Sequence, residues 1–326
     1  MSGHPANHRP ILSVAITPRI ADERKKLEQA LSVLVAQDPA LCVEPESAGG
    51  RTILSGISEA HLEKTCNRIA DEYKIPLDMD TPKVIYLETI RGIAEGEGKY
   101  LRQTGGQGNY AHCRIRLEPN TRGDGYQFIN DIRSGAIPDR FIAPIKRGIR
   151  EALKGGILYG CPLVDVKVTL YDGSFHETDS NEMAFQFAGA LAVKEAARKA
   201  SPMLLEPMMA VEITIPEEHI GTVIGDICAR RGRIERVNPI QEIEQQGQGR
   251  RQIAAIAPLA ELLGYAKEVQ SKTRGCAQLS IEFARYESTP HRGDSDAGTA
   301  GVTANKPTGP EAGSRSAAAK FHEDLQ

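Results

Sequence analysis

The sequence predicts an α+β protein with three folded modules, at 10–81, 82–201 and 202–287, between a short disordered start (1–9) and a disordered tail (288–326). Three observations predict it. The order strand, helix, strand, strand, helix, strand can be read twice, once near each end of the chain, and that order is the split βαβ, ferredoxin-like unit. An α/β module of different pattern lies between the two copies. After Tyr286 large apolar side chains almost vanish, and a segment of that composition cannot bury enough surface to fold by itself.

In the first copy, Leu12, Val14 and Ile16 alternate with Ser13 and Ala15, a strand period that Thr17-Pro18 ends. Leu27, Ala30, Leu31 and Leu34 recur at helical spacing on a polar segment. Strands at 41–47 and 52–57 flank the Gly49-Gly50 turn as a hairpin. Leu62, Cys66, Ile69, Ala70 and Tyr73 make the apolar stripe of a second helix, and a short strand follows at 76–79. In the second copy a strand at 209–215 precedes a helical stripe of Ile220, Val223, Ile224, Ile227 and Cys228, with Gly232 where a C-terminal cap belongs. A hairpin of 233–244 and 250–257 turns at Gly247-Gln248-Gly249. Pro258 opens a helix through Lys267, and 277–283 closes the unit as a strand.

The central module reads as strands at 84–94, 111–118 and 164–171. One helix carries Phe141, Ile145, Ile149 and Leu153. A longer one carries Ala184, Phe187, Ala188 and Leu191, with Asp179 as its N-cap and Glu182 three residues on. Arg-Gly-Asp at 122–124 and again at 292–294 is read as chance turn chemistry.

With 40% hydrophobic and 25% charged residues, a chain of 326 residues has material for several cores. No apolar run approaches the ~20 residues of a membrane span, and the first ten residues hold no signal-peptide core. A cytoplasmic monomer without membrane contact is expected. The six cysteines form no C-x-x-C, which favours reduced, mostly buried thiols over a zinc framework. Glu59 and His61 are two apart and do not share a helix face, so no metal is expected. A net charge of -3 gives no general attraction to nucleic acid. An RNA partner then requires basic side chains gathered locally.

Two polar, glycine-bearing segments read as turns between regular elements: T-G-G-Q-G-N-Y-A-H at 104–112 and G-S-F-H-E-T-D-S at 173–180. Each holds an aromatic residue and a histidine. Glycines at 105, 106 and 108 leave backbone amides open to an approaching phosphate. Irregular RNA is read by stacking, by 2′-hydroxyl contacts and by such amides. Gln107 and Asn109 can donate and accept, His176 can stack or hydrogen-bond, and Arg102, Arg114 and Arg116 can neutralise phosphate. Tyr110 either stacks on a base or plugs the loop. His112 reads as structural, bonded to the loop backbone. Arg230, Arg231 and Arg233 cluster at a helix end, where the dipole already favours cations; a solvated cap and an RNA contact fit equally.

Six motifs stand in order along the chain: G-G-Q-G-N-Y-A-H at 105–112, F-I-N-D-I at 128–132, G-S-F-H-E-T-D-S at 173–180, L-L-E-P-M-M at 204–209, V-I-G-D-I-C-A-R-R-G at 223–232 and A-P-L-A-E-L-L-G-Y at 257–265. Through them the chain resembles the C-terminal half of elongation factor G, the bacterial translocation GTPase, over about residues 10–287. The resemblance implies that the central module is the family's ribosomal-protein-like fourth domain. Its tip enters the decoding region of the ribosome, beside the A-site tRNA and the mRNA. The flanking modules are implied to be the third and fifth domains, which touch the stalk base and the sarcin–ricin loop of rRNA. Implied contact residues are Gln103, Thr104, Gly105, Gly106, Gln107, Gly108, Asn109 and Tyr110 on one segment. Ser174, Phe175, His176 and Glu177 are implied on the other, with His176 at the place of the family's tip histidine. Arg230, Arg231, Lys272 and Arg274 are implied on the last module.

No catalytic residue and no cofactor is implied. The sequence holds no G-x-x-x-x-G-K-[ST], so GTP is expected only through absent GTPase and barrel domains or a separate translational GTPase. Departures from the family pattern are Ser58-Glu59-Ala60-His61-Leu62 for G-E-L-H-L, Leu87 for the arginine of Y-R-E-T, Gln270 and Cys276 for two arginines, and Asn109 and Ala111 for Gln and Gly. They suggest a tip that is kept while coupling to GTP hydrolysis is lost or supplied by another chain. The leading expectation is a non-enzymatic, ribosome-binding protein. The alternatives are half of a split translocase, a fragment of a disrupted gene, or a ferredoxin-like ligand-binding metabolic protein.

Overall fold

The computed structural model describes residues 9–46, 51–104, 107–133, 135–239 and 249–289. The expected disordered start, apart from Arg9, and the tail beyond Thr289 lie outside the described residues.

The first module comprises β1 (Leu12–Pro18), α1 (Arg24–Gln37), β2 (Cys42–Pro45), β3 (Thr52–Gly56), α2 (Glu59–Glu72) and β4 (Leu77–Met79). Its sheet runs β2-β3-β1-β4, the ferredoxin-like order. The alternation in β1 is literal, with Leu12, Val14 and Ile16 buried and Ser13, Ala15 and Thr17 half-buried. Ser58 caps α2 by accepting the His61 N–H at 3.1 Å. His61 Nε2 in turn lies 2.9 Å from Asp38 Oδ2.

The segment expected as one strand over 84–94 is three pieces. β5 (Lys83–Val84) joins β1, β6 (Leu87–Ile90) pairs with residues 202–205 of the last module, and β7 begins at Ala94. An apolar run shows that a strand is present but not which sheet receives it, and this one passes through all three. Buried Glu88 anchors the crossing. Its Oε2 accepts the N–H groups of Ile157 and Leu158, and its Oε1 those of Tyr159 and Cys161, at 2.8 to 3.2 Å.

The central sheet, β7 (Ala94–Thr104), β8 (Gln107–Pro119), β9 (Tyr126–Asn130) and β10 (Val166–Ser174), has the order β7-β8-β10-β9. β9, which the sequence reading missed, runs parallel to β10. The crossover is α3 (Ile142–Lys154). The available signal, Tyr126 and Phe128 alternating with Gln127, is short. α3 and α4 (Glu182–Lys199) cover one face of the sheet and leave the other open. α4 lies unusually close to β7. A Cβ on Gly98 would stand 1.9 Å from the Ala188 carbonyl oxygen, and one on Gly148 of α3 1.9 Å from that of Gln186.

That closeness overturns the expected apolar stripe of α4. The buried face is Ala184, Phe185, Ala188, Gly189, Ala192, Val193, Ala196 and Ala197, while Phe187 and Leu191 face outward. Small side chains face the sheet because the approach leaves no room for large ones. The N-cap is Asn181, whose Oδ1 accepts the Ala184 N–H at 2.9 Å, and not Asp179.

The last module has β11 (Pro202–Pro216), α5 (Ile220–Ala229), β12 (Arg233–Pro239), β13 (Arg250–Pro258), α6 (Leu259–Leu262), α7 (Tyr265–Lys272) and β14 (Gln278–Ser288), with sheet order β12-β13-β11-β14. This repeats the topology of the first module. The hairpin arms are described to Pro239 and from Gly249; the turn expected at 247–249 is described only in Gly249. The helix expected over 258–267 is two short helices broken at Gly264, where φ is 73°. The Gly264 N–H donates to Glu59 of the first module at 3.0 Å. At the end of α5 the left-handed residue is Arg231, φ 61°, and not Gly232. Gly232 N–H reaches the Ile227 carbonyl at 2.9 Å and Arg231 N–H that of Cys228 at 3.1 Å, a Schellman closure. Gly232 is needed for space, since a Cβ there would lie 2.5 Å from Ile227 Cγ2.

Buried residues of the first and last modules form one continuous cluster, and the central module has its own. Cysteine burial differs from expectation: Cys66 and Cys113 are buried and Cys161 is half-buried, but Cys42, Cys228 and Cys276 are exposed, all of them free thiols. Cysteine is apolar enough for a core position, but these three fall on outward faces.

Candidate nucleic-acid interface

β7 and β8 pair to the end of their hairpin, with Arg102 opposite Asn109, Gln103 opposite Gly108 and Thr104 opposite Gln107. Strand therefore occupies most of the segment expected as a loop at 104–112. Ala111, Cys113, Ile115 and Leu117 alternate into the core, and that period carries the ladder outward to Gln107. Gly105 and Gly106 lie outside the described residues. The second segment also begins as strand, with Ser174 opposite His112. The chain then turns over 175–181 into α4. Ser180 N–H donates to the His176 carbonyl at 3.0 Å, and His176 N–H to Ser180 Oγ at 2.8 Å.

The two segments are tied to each other along their length. Tyr110 N–H donates to the Asp179 carbonyl at 2.8 Å, and the Ser180 hydroxyl donates to the Tyr110 carbonyl at 2.8 Å. The Tyr110 and Ser174 hydroxyls share a hydrogen bond of 2.8 Å. Asn181 Nδ2 donates to Asn109 Oδ1, so one residue both caps α4 and holds the hairpin. A Cβ on Gly108 would come 3.0 Å from the Asp179 carboxyl carbon. The half-buried Tyr110 side chain is thus tied to the second segment through its hydroxyl. Phe175 is half-buried against the core.

His176 projects from this base with its side chain 62% exposed, followed by exposed Glu177 and Thr178. Its Nδ1 lies 3.1 Å from Thr178 Oγ1 and 3.5 Å from Asp179 Oδ2. His112 is bonded to side chains rather than to loop backbone. Its Nδ1 is 3.1 Å from Ser174 Oγ and its Nε2 2.9 Å from Glu97 Oε1.

Behind the tip, on the open sheet face, the guanidinium groups of Arg114 and Arg116 lie 5.7 and 6.0 Å from the centre of the Tyr171 ring. Arg116 donates to Glu95 at 3.0 Å and the Tyr171 hydroxyl donates to the same carboxylate at 3.1 Å. These two bonds, Arg116 first, hold the Glu95 carboxyl below the usual range. Burial and then the Glu95 bond push the Tyr171 hydroxyl up. Arg102 is exposed and has no ion-pair partner among the described residues.

The cations of the last module are engaged within the chain. Arg230 pairs with Glu268 and lies 4.7 Å from the centre of the Tyr265 ring. Arg231 pairs with buried Glu206. Lys272 lies 2.7 Å from Asp226, and that bond raises its ammonium pKa. Arg274 sits at φ 52° in the turn after α7. The structure therefore accounts for three of the four without RNA. Sequence reasoning missed their partners Glu206, Asp226 and Glu268, which no local spacing reveals.

Three family models match the chain: Elongation Factor G, domain III at 8–81, Elongation factor G, domain IV at 82–201, and Elongation factor G C-terminus at 203–295. A crystal structure of a protein from Thermus thermophilus matches with 37% identity and a TM-score of 0.64, over 89% of this chain and 42% of that one. The chain therefore spans less than half the length of that relative. No helix among the described residues is long and apolar enough to cross a membrane.

Proposed function

We propose, from the premise that this chain belongs to the elongation factor G family, that it binds the ribosome in the cytoplasm as a non-catalytic monomer. Its central module directs the joined tip of 103–110 and 174–177 at the decoding region of the aminoacyl-tRNA site. The observation that carries this reading is the cross-linked tip. Two segments far apart in sequence are hydrogen-bonded to each other through Asn109, Tyr110, Ser174, Asp179, Ser180 and Asn181, and present His176 outward. Residues 108–110 and 174–181, already tied to each other by these bonds, lose little conformational entropy when they meet folded RNA. Arg102 supplies free positive charge beside it. Arg230, Arg231, Lys272 and Arg274 contribute as a second contact on the last module, with charge partly compensated by their internal partners. GTP hydrolysis is assigned to another domain or a separate translational GTPase, because these residues contain no phosphate-cradling P-loop.

Co-sedimentation with ribosomes at graded salt tests the proposal. Binding should weaken as salt rises, with a log–log slope of about -0.7 to -0.9 per phosphate contact. His176→Ala should leave the melting temperature unchanged and weaken association. Absence of any association at low salt would defeat the reading.

A further inference from the structure

Four side chains stand in a row behind the tip: Glu97 on β7, His112 and Tyr110 on β8, and Ser174 on β10. His112 Nε2 is shut off from water and lies 2.9 Å from Glu97 Oε1. His112 Nδ1 lies 3.1 Å from Ser174 Oγ, which in turn lies 2.8 Å from the Tyr110 hydroxyl. The row has few hydrogens, and their places are constrained. A nitrogen lone pair facing a carboxylate at this distance would be repelled, so Nε2 carries the hydrogen of the neutral ring. Nδ1 is then an acceptor, and the Ser174 hydroxyl donates to it. A hydroxyl has a single hydrogen, so Ser174 can only accept from Tyr110. The Tyr110 hydrogen is thereby used inside the protein, and its oxygen keeps lone pairs for an incoming donor.

We infer that His112 is a positioning residue that sets, through Ser174, whether Tyr110 meets RNA as an acceptor or as a donor. When His112 takes up a proton from solvent at Nδ1, both ring nitrogens donate. Ser174 then accepts from Nδ1, and its own hydrogen turns to the Tyr110 oxygen. The Tyr110 hydrogen is released to an outside acceptor. The neutral row suits base amino groups and 2′-hydroxyl donors, and the reversed row suits a phosphate oxygen. A hydrogen bond to a charged acceptor is roughly twice as strong as a neutral one, so the reversed row binds RNA more tightly.

The charged groups around the ring are those of the neighbouring ladder positions. Lys99 pairs with His112 between β7 and β8, and Glu97 and Asp172 both stand opposite Arg114, two residues on from His112. On the side of Tyr110, the Asp179 carboxylate stands beside Gly108. Histidine is the side chain that ordinarily changes charge between about pH 5 and 8, so the row can answer to pH in the range where the fold is kept.

This inference rests on the reading of the tip as the part that meets RNA, but the first of its two tests needs no RNA. In the full chain, isotope-labelled at the histidine nitrogens, the His112 resonances are those lost in His112→Gln. At about pH 8 they should report hydrogen on Nε2 and a bare Nδ1; hydrogen on Nδ1 overturns the inference. The second test is ribosome co-sedimentation at fixed salt, compared at about pH 8 and about pH 6. On acidification wild type should gain about tenfold more affinity than Tyr110→Phe or Ser174→Ala. The double variant should respond as the single ones do, because each cuts the same row. Protonation of exposed His176 acts in all of these proteins and drops out of the comparison. Weakening by the same factor at both pH values would mean that the row only props the segments together, and overturns the inference; so does a pH response kept in both single variants. Tyr110→Phe removes one atom and stays readable if Ser174→Ala lowers the melting temperature. No association of wild type at low salt defeats the reading of the tip itself, whereas association without the pH response defeats this inference alone.

Discussion

Glu88 offers the sharpest test of how the modules are held together. Its carboxylate is fully buried and accepts four backbone N–H groups from the loop of 157–161. Its own strand pairs with the last module. Glu88→Gln keeps the shape and replaces one oxygen with an NH₂ group that cannot accept. Two of the four donors then face a donor. A buried donor left without a partner costs about 1–3 kcal/mol, so the pair amounts to about 4 kcal/mol. Three modules with two separate cores need not unfold in one step, so a single melting curve is a poor readout. Hydrogen exchange of the 157–161 amides, followed by mass spectrometry, reports the loop directly. A loss of about 4 kcal/mol raises the local opening constant about a thousandfold. Exchange within about tenfold of wild type would show that water or a shift of the loop satisfies these donors, and that the carboxylate does not pin the crossing.

Three further outcomes are expected. Gly98→Ala places a methyl group 1.9 Å from the Ala188 carbonyl oxygen, so α4 must lift; a loss of about 3 kcal/mol should appear as a lower thermal midpoint by circular dichroism. Asn181→Ala removes the α4 cap and the bond to Asn109 at about 1 kcal/mol, whereas Asn181→Asp keeps the cap and should speed exchange at the hairpin tip alone. Arg231→Ala leaves Glu206, 4% exposed, without its counterion; about 2 kcal/mol should be lost, below the range for a fully buried pair because Arg231 is half-exposed, and Glu206→Gln in the same chain should recover most of it in urea unfolding.

How far the sequence reaches is visible at particular residues. Leu12, Val14 and Ile16 announce a strand because one face of a sheet is buried and the period is two. The stripe of Val223 and Ile227 announces a helix for the matching reason. The central helix shows the limit. Phe187 and Leu191 look like its core face, yet Gly96 and Gly98 bring β7 so close that the positions opposite them are Ala188, Ala192 and Ala196, while the large inward side chain, Phe185, stacks on Phe141 instead. At the tip, the residue types at 104–112 and 173–180 mark two unusual segments, but their joining through Tyr110, Ser180 and Asn181 depends on β8 pairing with β10. The cationic cluster at 230–231 reads as open positive charge until Glu206 and Glu268 arrive from other elements.

By itself the sequence determined the two ferredoxin-like units, the distinct module between them, and the family to which they belong. Each of these rests on periodicities and motifs that lie within a few tens of residues. Only the tertiary structure decided which sheet takes each piece of 83–104, which face of α4 is inward, and which charges are already paired. Those outcomes depend on atoms brought together from distant parts of the chain, where backbone clearance and buried hydrogen bonds outweigh local preference.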